Sequence, residues 1–263
     1  MYFYIYDSFL KERRYERELA IVESRLTDLG LNGKVGRLTP FTNARGLIRD
    51  ETRRGVETIV AVGDDETVAK VIGGLGDASI TLGIIPIGGS TVISESLGVP
   101  PGFDACEVLS RRVAKRLDLG SANGHFFLSE VRVSGKDVVV ETDQGFRLSG
   151  LVPETEVVIC NMRSPEMEER GLSSQLGDPL DGYLDLMIFT RERGLFGRVI
   201  GEEGFTALRI KSVNITASEQ FHAMVDGREF STEALSVQVV PDRVRVITGR
   251  DRVFEEEADL DNG

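Results

Sequence analysis

The stretch Thr58-Ile59-Val60-Ala61-Val62-Gly63-Asp64-Asp65-Glu66-Thr67-Val68 decides the fold. Its first five residues form a continuous apolar run, the mark of a parallel strand buried on both faces. Gly63 ends the run, and a helix starts within four residues, carrying Val68, Val71, Ile72 and Leu75 on one face. Open α/β sheets bind ligands at the carboxyl ends of their strands. A tight strand-to-helix turn there aims backbone N–H groups at an anion. Asp64, Asp65 and Glu66 place three carboxylates at that mouth. Two readings stand side by side: a nucleotide site with a carboxylate facing magnesium, and a helix start capped by acidic residues.

Working outward, Tyr2–Tyr6 reads as a strand. Tyr15, Leu19, Val22, Leu26 and Leu29 follow at helical spacing, with Gly30 as the stop. A strand near Lys34–Leu38 leads to a helix capped by Thr42 or Asn43, with Ala44, Leu47 and Ile48 inward and Gly55 ending it. Downstream, Leu82–Ile87 is a second buried strand. Gly88 and Gly89 follow, and Ser90 and Thr91 open a short helix through Ile93 and Leu97. This order predicts a doubly wound α/β domain with a parallel sheet. After about residue 117 strand patterns take over: His125–Val133, Asp137–Glu141, Thr155–Cys160, Leu184–Thr190, Ile210–Ala217, Phe221–Val225, Ser236–Val240 and Arg243–Ile247. They predict an antiparallel β-sandwich or half-barrel, interrupted by one helix near Gly194–Ile200. The expected division is residues 1–119, 120–250 and an acidic tail at 251–263.

Composition narrows the function. With 31 basic and 43 acidic residues the formal charge is −12, which argues against nucleic-acid binding through a basic surface. Cys106 and Cys160 are too few for a disulfide framework and read as core residues. His125 and His222 offer little for a multi-histidine metal site, and His222 reads as a plain strand residue. No apolar run reaches transmembrane length, and the N-terminus lacks the pattern of a signal peptide. Arg111–Arg116 holds four cations in six residues; the readings are a solvated helix end or contact with anionic headgroups or a phosphate.

The two glycine turns together resemble the diacylglycerol kinase catalytic-domain family, which includes bacterial lipid kinases and sphingosine kinases. Gly63-Asp64-Asp65-Glu66-Thr67 stands at that family's GGDGT turn. Pro86-Ile87-Gly88-Gly89-Ser90-Thr91, followed by Ser96-Leu97-Gly98-Val99-Pro100, stands at its second loop. Asp181-Gly182-Tyr183-Leu184-Asp185-Leu186 resembles its DGLLDL element, and Val225-Asp226-Gly227 the start of its late DGE element. The resemblance implies a kinase using ATP and Mg2+ on a lipid hydroxyl such as that of diacylglycerol. The nucleotide would contact Thr39, Gly63, Asp64, Asp65, Glu66, Thr67, Gly88, Gly89 and Ser90. Asp226 would be the surviving candidate for the base. Asp181 through its carboxylate, with Asp178 and Tyr183 through their backbone carbonyls, would hold a structural magnesium, against which stands an ordinary Asp-Gly turn. The implied partners are a nucleotide and a lipid at a membrane surface, with cytoplasmic placement; a homodimer stays open.

The departures point the other way. Asp64 and Glu66 stand where the family has glycines, Thr91 and Val92 where it has asparagine and aspartate, and Asp7-Ser8 where it has asparagine-proline. Two like charges ~4 Å apart repel by roughly 4 kcal/mol at an effective dielectric of ~20. Arg228 stands at the family's glutamate, the expected general base, and arginine does not deprotonate at working pH. The rival reading is therefore a pseudo-kinase that binds a nucleotide or other ligand without catalysis. NAD kinase shares the first turn, but its later asparagine-glutamate loop has no counterpart here.

Overall fold

The structure is a computed structural model that describes residues 1–89, 92–135, 137–149, 156–165, 167, 171–172, 175–190 and 204–254. The chain forms two compact units. One comprises Met1–Leu117, Ser164–Leu172 and Asp242–Gly263; the other comprises Asp118–Arg163 and Ser173–Pro241.

The first unit is built on parallel strands: β1 (Tyr2–Tyr6), β2 (Gly33–Arg37), β3 (Thr58–Gly63) and β4 (Thr81–Pro86). They lie in the order β2-β1-β3-β4. The helices are α1 (Glu16–Asp28), α2 (Ala44–Thr52), α3 (Asp65–Gly74), α4 (Val92–Ser96) and α5 (Ala105–Arg111). Helices α2, α3 and α4 pack as one group, and α1 packs with α5. Ile59, Val60, Ala61 and Val62 are all fully buried, so β3 is covered on both faces as its unbroken apolar run requires. Of the α1 stripe, Leu19, Val22 and Leu26 are buried, while Tyr15 and Leu29 flank the contact. Asn43, not Thr42, caps α2, accepting the Gly46 N–H at 2.9 Å. The basic run Arg111–Arg116 is not one helix face: α5 ends at Arg111 and Arg112 turns left-handed at φ 53°. Lys115 and Arg116 lie in the next strand, β5 (Ala114–Ala122).

The second unit is antiparallel. Its strands are the end of β5 with β6 (His125–Phe127), β7 (Glu130–Ser134), β8 (Val139–Thr142), β9 (Arg147–Leu148), β10 (Glu156–Cys160), β11 (Leu184–Thr190), β12 (Gly204–Ile210), β13 (Ser212–Val225) and the first part of β14 (Arg228–Ile247). Its main order is β12-β11-β10-β7-β13-β14. Alternate residues such as Val131, Val133, Val157, Ile159, Leu184, Leu186 and Ile188 fill one core, following the period-two pattern of half-buried strands.

Several strand boundaries differ from the sequence reading. The expected strand His125–Val133 is two, broken at Leu128 and Ser129, whose N–H groups leave the ladder to bind Asp226. Ile210–Ala217 and Phe221–Val225 lie mostly in one strand, β13, with an irregularity in register between Thr216 and Phe221. Ser236–Val240 and Arg243–Ile247 are one strand running through Pro241. From Asp242 that strand counts with the first unit, because Arg245 and Val246 pair in parallel with Thr81 and Leu82 of β4. The expected helix at 194–200 lies outside the described residues. Among the described residues, no helix is long and apolar enough to cross a membrane.

Candidate nucleotide-loop site and acidic turns

In the first unit the register pairs Gly63 with Pro86, and the Ile87 N–H reaches the Gly63 carbonyl at 2.9 Å. The two glycine turns therefore lie side by side at one end of the parallel sheet, as the order of strands and helices implies. Two glycines are required there. Gly63 sits at φ 152°, where an added Cβ would stand 2.3 Å from Thr67 Oγ1. Gly88 sits at φ 104°, where a Cβ would meet the Phe9 ring at 2.7 Å.

Asp64 is the N-cap of α3: one carboxylate oxygen accepts the Thr67 N–H at 3.0 Å and the Thr67 hydroxyl at 2.9 Å. Asp65, one residue on, reaches across to α4. Its two oxygens accept the N–H groups of Val92 at 2.8 Å and Ile93 at 3.1 Å. Gly89 lies against Asp64. Ser90 and Thr91 lie outside the described residues. Thr39 closes a small turn instead: it exchanges backbone hydrogen bonds with Thr42 at 3.1 Å, and its hydroxyl accepts the Phe41 N–H at 3.2 Å.

Sequence reading assigned no role to the centre of this cluster. Asp7, at the end of β1, is buried, and its carboxylate accepts hydrogen bonds from Lys70 Nζ at 2.9 Å and from the Thr67 hydroxyl at 3.1 Å. Lys70 also pairs with Glu66 at 3.2 Å. Burial pushes the Asp7 carboxyl up, but Lys70, with Ser8 and Thr67, outweighs it and holds the carboxyl below its usual range. Burial likewise works against the Lys70 ammonium, and its two carboxylate partners raise it. The i, i+4 spacing of Glu66 and Lys70 was visible in the sequence; the partnership with Asp7, sixty-three positions away, was not.

A triphosphate needs N–H donors here, and those of Thr67, Val92 and Ile93 are already held by the chain's own carboxylates. Those three donors are not open to a polyphosphate in the turn as folded.

In the second unit Asp226 and Gly227 form the β13–β14 turn, with φ 44° and 78°, an Asp-Gly pair suited to a two-residue hairpin. The Asp226 carboxylate is buried and accepts three backbone N–H groups, from Leu128 at 2.7 Å, Ser129 at 2.9 Å and Glu130 at 3.1 Å. Burial pushes its pKa up to about 6, against the pull of those donors. Arg228 is exposed, its guanidinium 5.8 Å from the Phe230 ring. Glu229 pairs with His222 at 3.0 Å.

The other acidic turn of this unit is held together by its own carboxylates. Asp178 accepts the Leu180 N–H at 3.0 Å, and Asp181 Oδ1 accepts the Tyr183 N–H at 2.9 Å. Asp118 accepts the Gly182 N–H at 2.7 Å, and Asp185 the Gly177 N–H at 2.6 Å. Asp181 Oδ2 carries an ion pair to Arg209 at 3.1 Å, and that guanidinium lies 5.6 Å from the Tyr183 ring. Burial raises the Asp181 carboxyl to about 6. Arg209 places a positive charge on the carboxylate that a metal would meet.

Comparison with known proteins supports the sequence resemblance. Residues 3–122 match the family described as diacylglycerol kinase catalytic domain. A probable lipid kinase YegS-like protein of Pseudomonas aeruginosa is 25% identical over 243 residues, spanning 78% of this chain and 80% of the relative. A diacylglycerol kinase of Bacillus subtilis is 28% identical over 119 residues, spanning 44% of this chain and 39% of the relative. The crystal structure of a diacylglycerol kinase from Bacillus anthracis superposes with a TM-score of 0.72 over 95% of this chain and 97% of that one, at 20% identity, a likeness of fold.

Proposed function

We propose, from the match of residues 3–122 to the diacylglycerol kinase catalytic-domain family, that the chain is a lipid-kinase descendant with strongly attenuated phosphoryl transfer. One observation carries the reading: Asp64 holds the Thr67 N–H of α3, and Asp65 holds the Val92 and Ile93 N–H groups of α4, donors a phosphate chain would use. Phosphoryl transfer relies on positioning and on donors aimed at the transferring group. A carboxylate in their place repels the substrate it should hold. The base is weakened as well. Arg228 stays protonated and cannot accept a proton, and Asp226 spends its oxygens on three backbone donors. The family's nucleotide, divalent metal and lipid acceptor remain the ligand classes to test.

A second reading has its own support. A carboxyl raised to about 6 sits near the value that serves a general base at neutral pH. On that reading the chain is an active lipid kinase in which Asp226 takes the proton of the acceptor hydroxyl.

The test is transfer of labelled phosphate from Mg–ATP to diacylglycerol, a sphingoid base and a mixed lipid extract. It is run beside the triple restoration Asp64→Gly, Glu66→Gly and Arg228→Glu. We expect turnover by the unmodified chain ~10²-fold or more below that of the restored chain, since a general base alone contributes ~10²–10⁴-fold. Robust turnover by the unmodified chain, lost in Asp226→Ala, overturns attenuation and establishes the second reading.

A further inference from the structure

At the opposite end of the parallel strands from the glycine turns, the register sets Tyr2 beside Thr58, Thr58 beside Thr81, and Thr81 beside Arg245. Register partners share a face of the sheet, so one row carries a phenol, two hydroxyls and a guanidinium across β1, β3, β4 and β14. Arg112 joins them from the end of α5, its guanidinium 5.3 Å from the centre of the Tyr2 ring. These residues line one cavity of about 200 Å³ together with Glu57. Thr58 and Gly63 are five residues apart on β3, which puts the cavity about 16 Å from the glycine turns. It is a separate place on the same unit.

Three observations converge on an anion. Neither Arg112 nor Arg245 has a carboxylate partner among the described residues, although the chain carries a net charge of −12. Arg112 holds a left-handed backbone at φ 53°, a position at a helix end that usually falls to glycine, so an arginine is kept there at a conformational cost. Thr58 and Thr81 add hydroxyl donors between the two guanidiniums. Glu57 is the one carboxylate in the lining, so the balance of the two arginines and Glu57 leaves the cavity positive. Its size lies below the range of pockets for nucleotides and other drug-sized ligands, which limits the occupant to a small group. Guanidiniums match the oxygens of phosphate and bind them in pairs.

We propose that this cavity is a binding site for a phosphate group, held by Arg112 and Arg245 with the hydroxyls of Thr58 and Thr81. The group has two sources, a free phosphate and the headgroup of an anionic lipid.

The experiment is a thermal-shift titration of the full chain with sodium phosphate, against sodium chloride at matched ionic strength. The double variant Arg112→Gln, Arg245→Gln is titrated beside it, its fold checked by its melting temperature in chloride. Asp64→Asn serves as a control at the glycine turns. The expected result is a saturable rise of about 5 °C at a hundredfold excess over Kd, absent from the double variant and kept in Asp64→Asn. No rise beyond that in chloride, or an equal rise in the double variant, overturns the proposal. Co-sedimentation with phosphatidylcholine vesicles, with and without phosphatidic acid, separates the sources. Arginine-dependent retention on the acidic vesicles assigns the lipid headgroup, and a phosphate response without retention assigns a free phosphate. Should the double variant fail to fold, the single variants Arg112→Lys and Arg245→Lys are titrated instead. A raised Kd in either one supports the site, and unchanged Kd values in both overturn it.

Discussion

The carboxylate of Asp65, in the first turn of α3, accepts the backbone N–H of Val92 at 2.8 Å, tying one strand-to-helix turn to the other across 27 positions. The same carboxylate accepts from Ile93 at 3.1 Å, so one side chain closes the start of α4 while belonging to α3. Replacing Asp65 by Ala should cost about 1–2 kcal/mol, the range of a lost helix cap. Urea unfolding measures it. A loss no larger than that of an exposed surface substitution would show that the link between the turns adds nothing.

The Asp7–Lys70 pair should matter more. Lys70→Met strands a buried carboxylate and should destabilise by about 3 kcal/mol, the low end for breaking a buried pair, because the lysine itself is partly exposed. Asp7 is held below its ordinary 3.8 and Lys70 above its ordinary 10.5. The carboxylate's contribution is complete above its unfolded value and is lost as pH falls through the lowered one. That of the ammonium is complete below its unfolded value and is lost as pH rises through the raised one. Stability measured from pH 5 to 9 should therefore be flat with respect to this pair, with the wild-type advantage over Asp7→Asn shrinking only in stronger acid.

Asp226 has the opposite sign. Its folded value of about 6 lies above the unfolded 3.8, so between those values the native state binds the proton more tightly. Its contribution to stability therefore falls as pH rises from 4 to 6, by up to about 3 kcal/mol. Asp181, also raised to about 6, adds a fall in the same window. Denaturant midpoints at pH 4.5 and 7 in wild type and Asp226→Asn check this: the variant should be less stable at both, with a shallower slope. An unchanged slope would assign the pH dependence elsewhere.

Arg209 should make the Asp181 turn indifferent to divalent metal. The melting temperature of the wild type should be the same in magnesium and in excess chelator. Arg209→Ala should lower it, and magnesium should then recover part of the loss by meeting the freed Asp181 carboxylate. A chelator-sensitive wild type would refute the substitution of arginine for metal.

The Asp181 turn shows where sequence reading stops. Asp178, Asp181 and Tyr183 were legible as an acidic turn with metal-like chemistry, but Arg209 stands 28 positions beyond Asp181, in a strand whose register alone brings it there. The same holds for Asp226. Its Asp-Gly pair announced a hairpin, while the three donors it holds come from residues 128–130, nearly a hundred positions earlier.

What the sequence by itself determined was local in origin. Unbroken apolar runs made β3 and β4 central strands, helical spacing placed Leu19, Val22 and Leu26 inward, and alternation marked the strands of the second unit. These patterns follow from the periods of helix and strand, which neighbouring residues set among themselves. Tertiary structure decided which donor each carboxylate meets. Asp7, Asp65, Asp181 and Asp226 have the same chemistry in the sequence, and one became an ion pair, one a cap, one a partner for arginine and one a clamp on a strand. A buried carboxylate must find donors, but only chain topology brings them within hydrogen-bond distance.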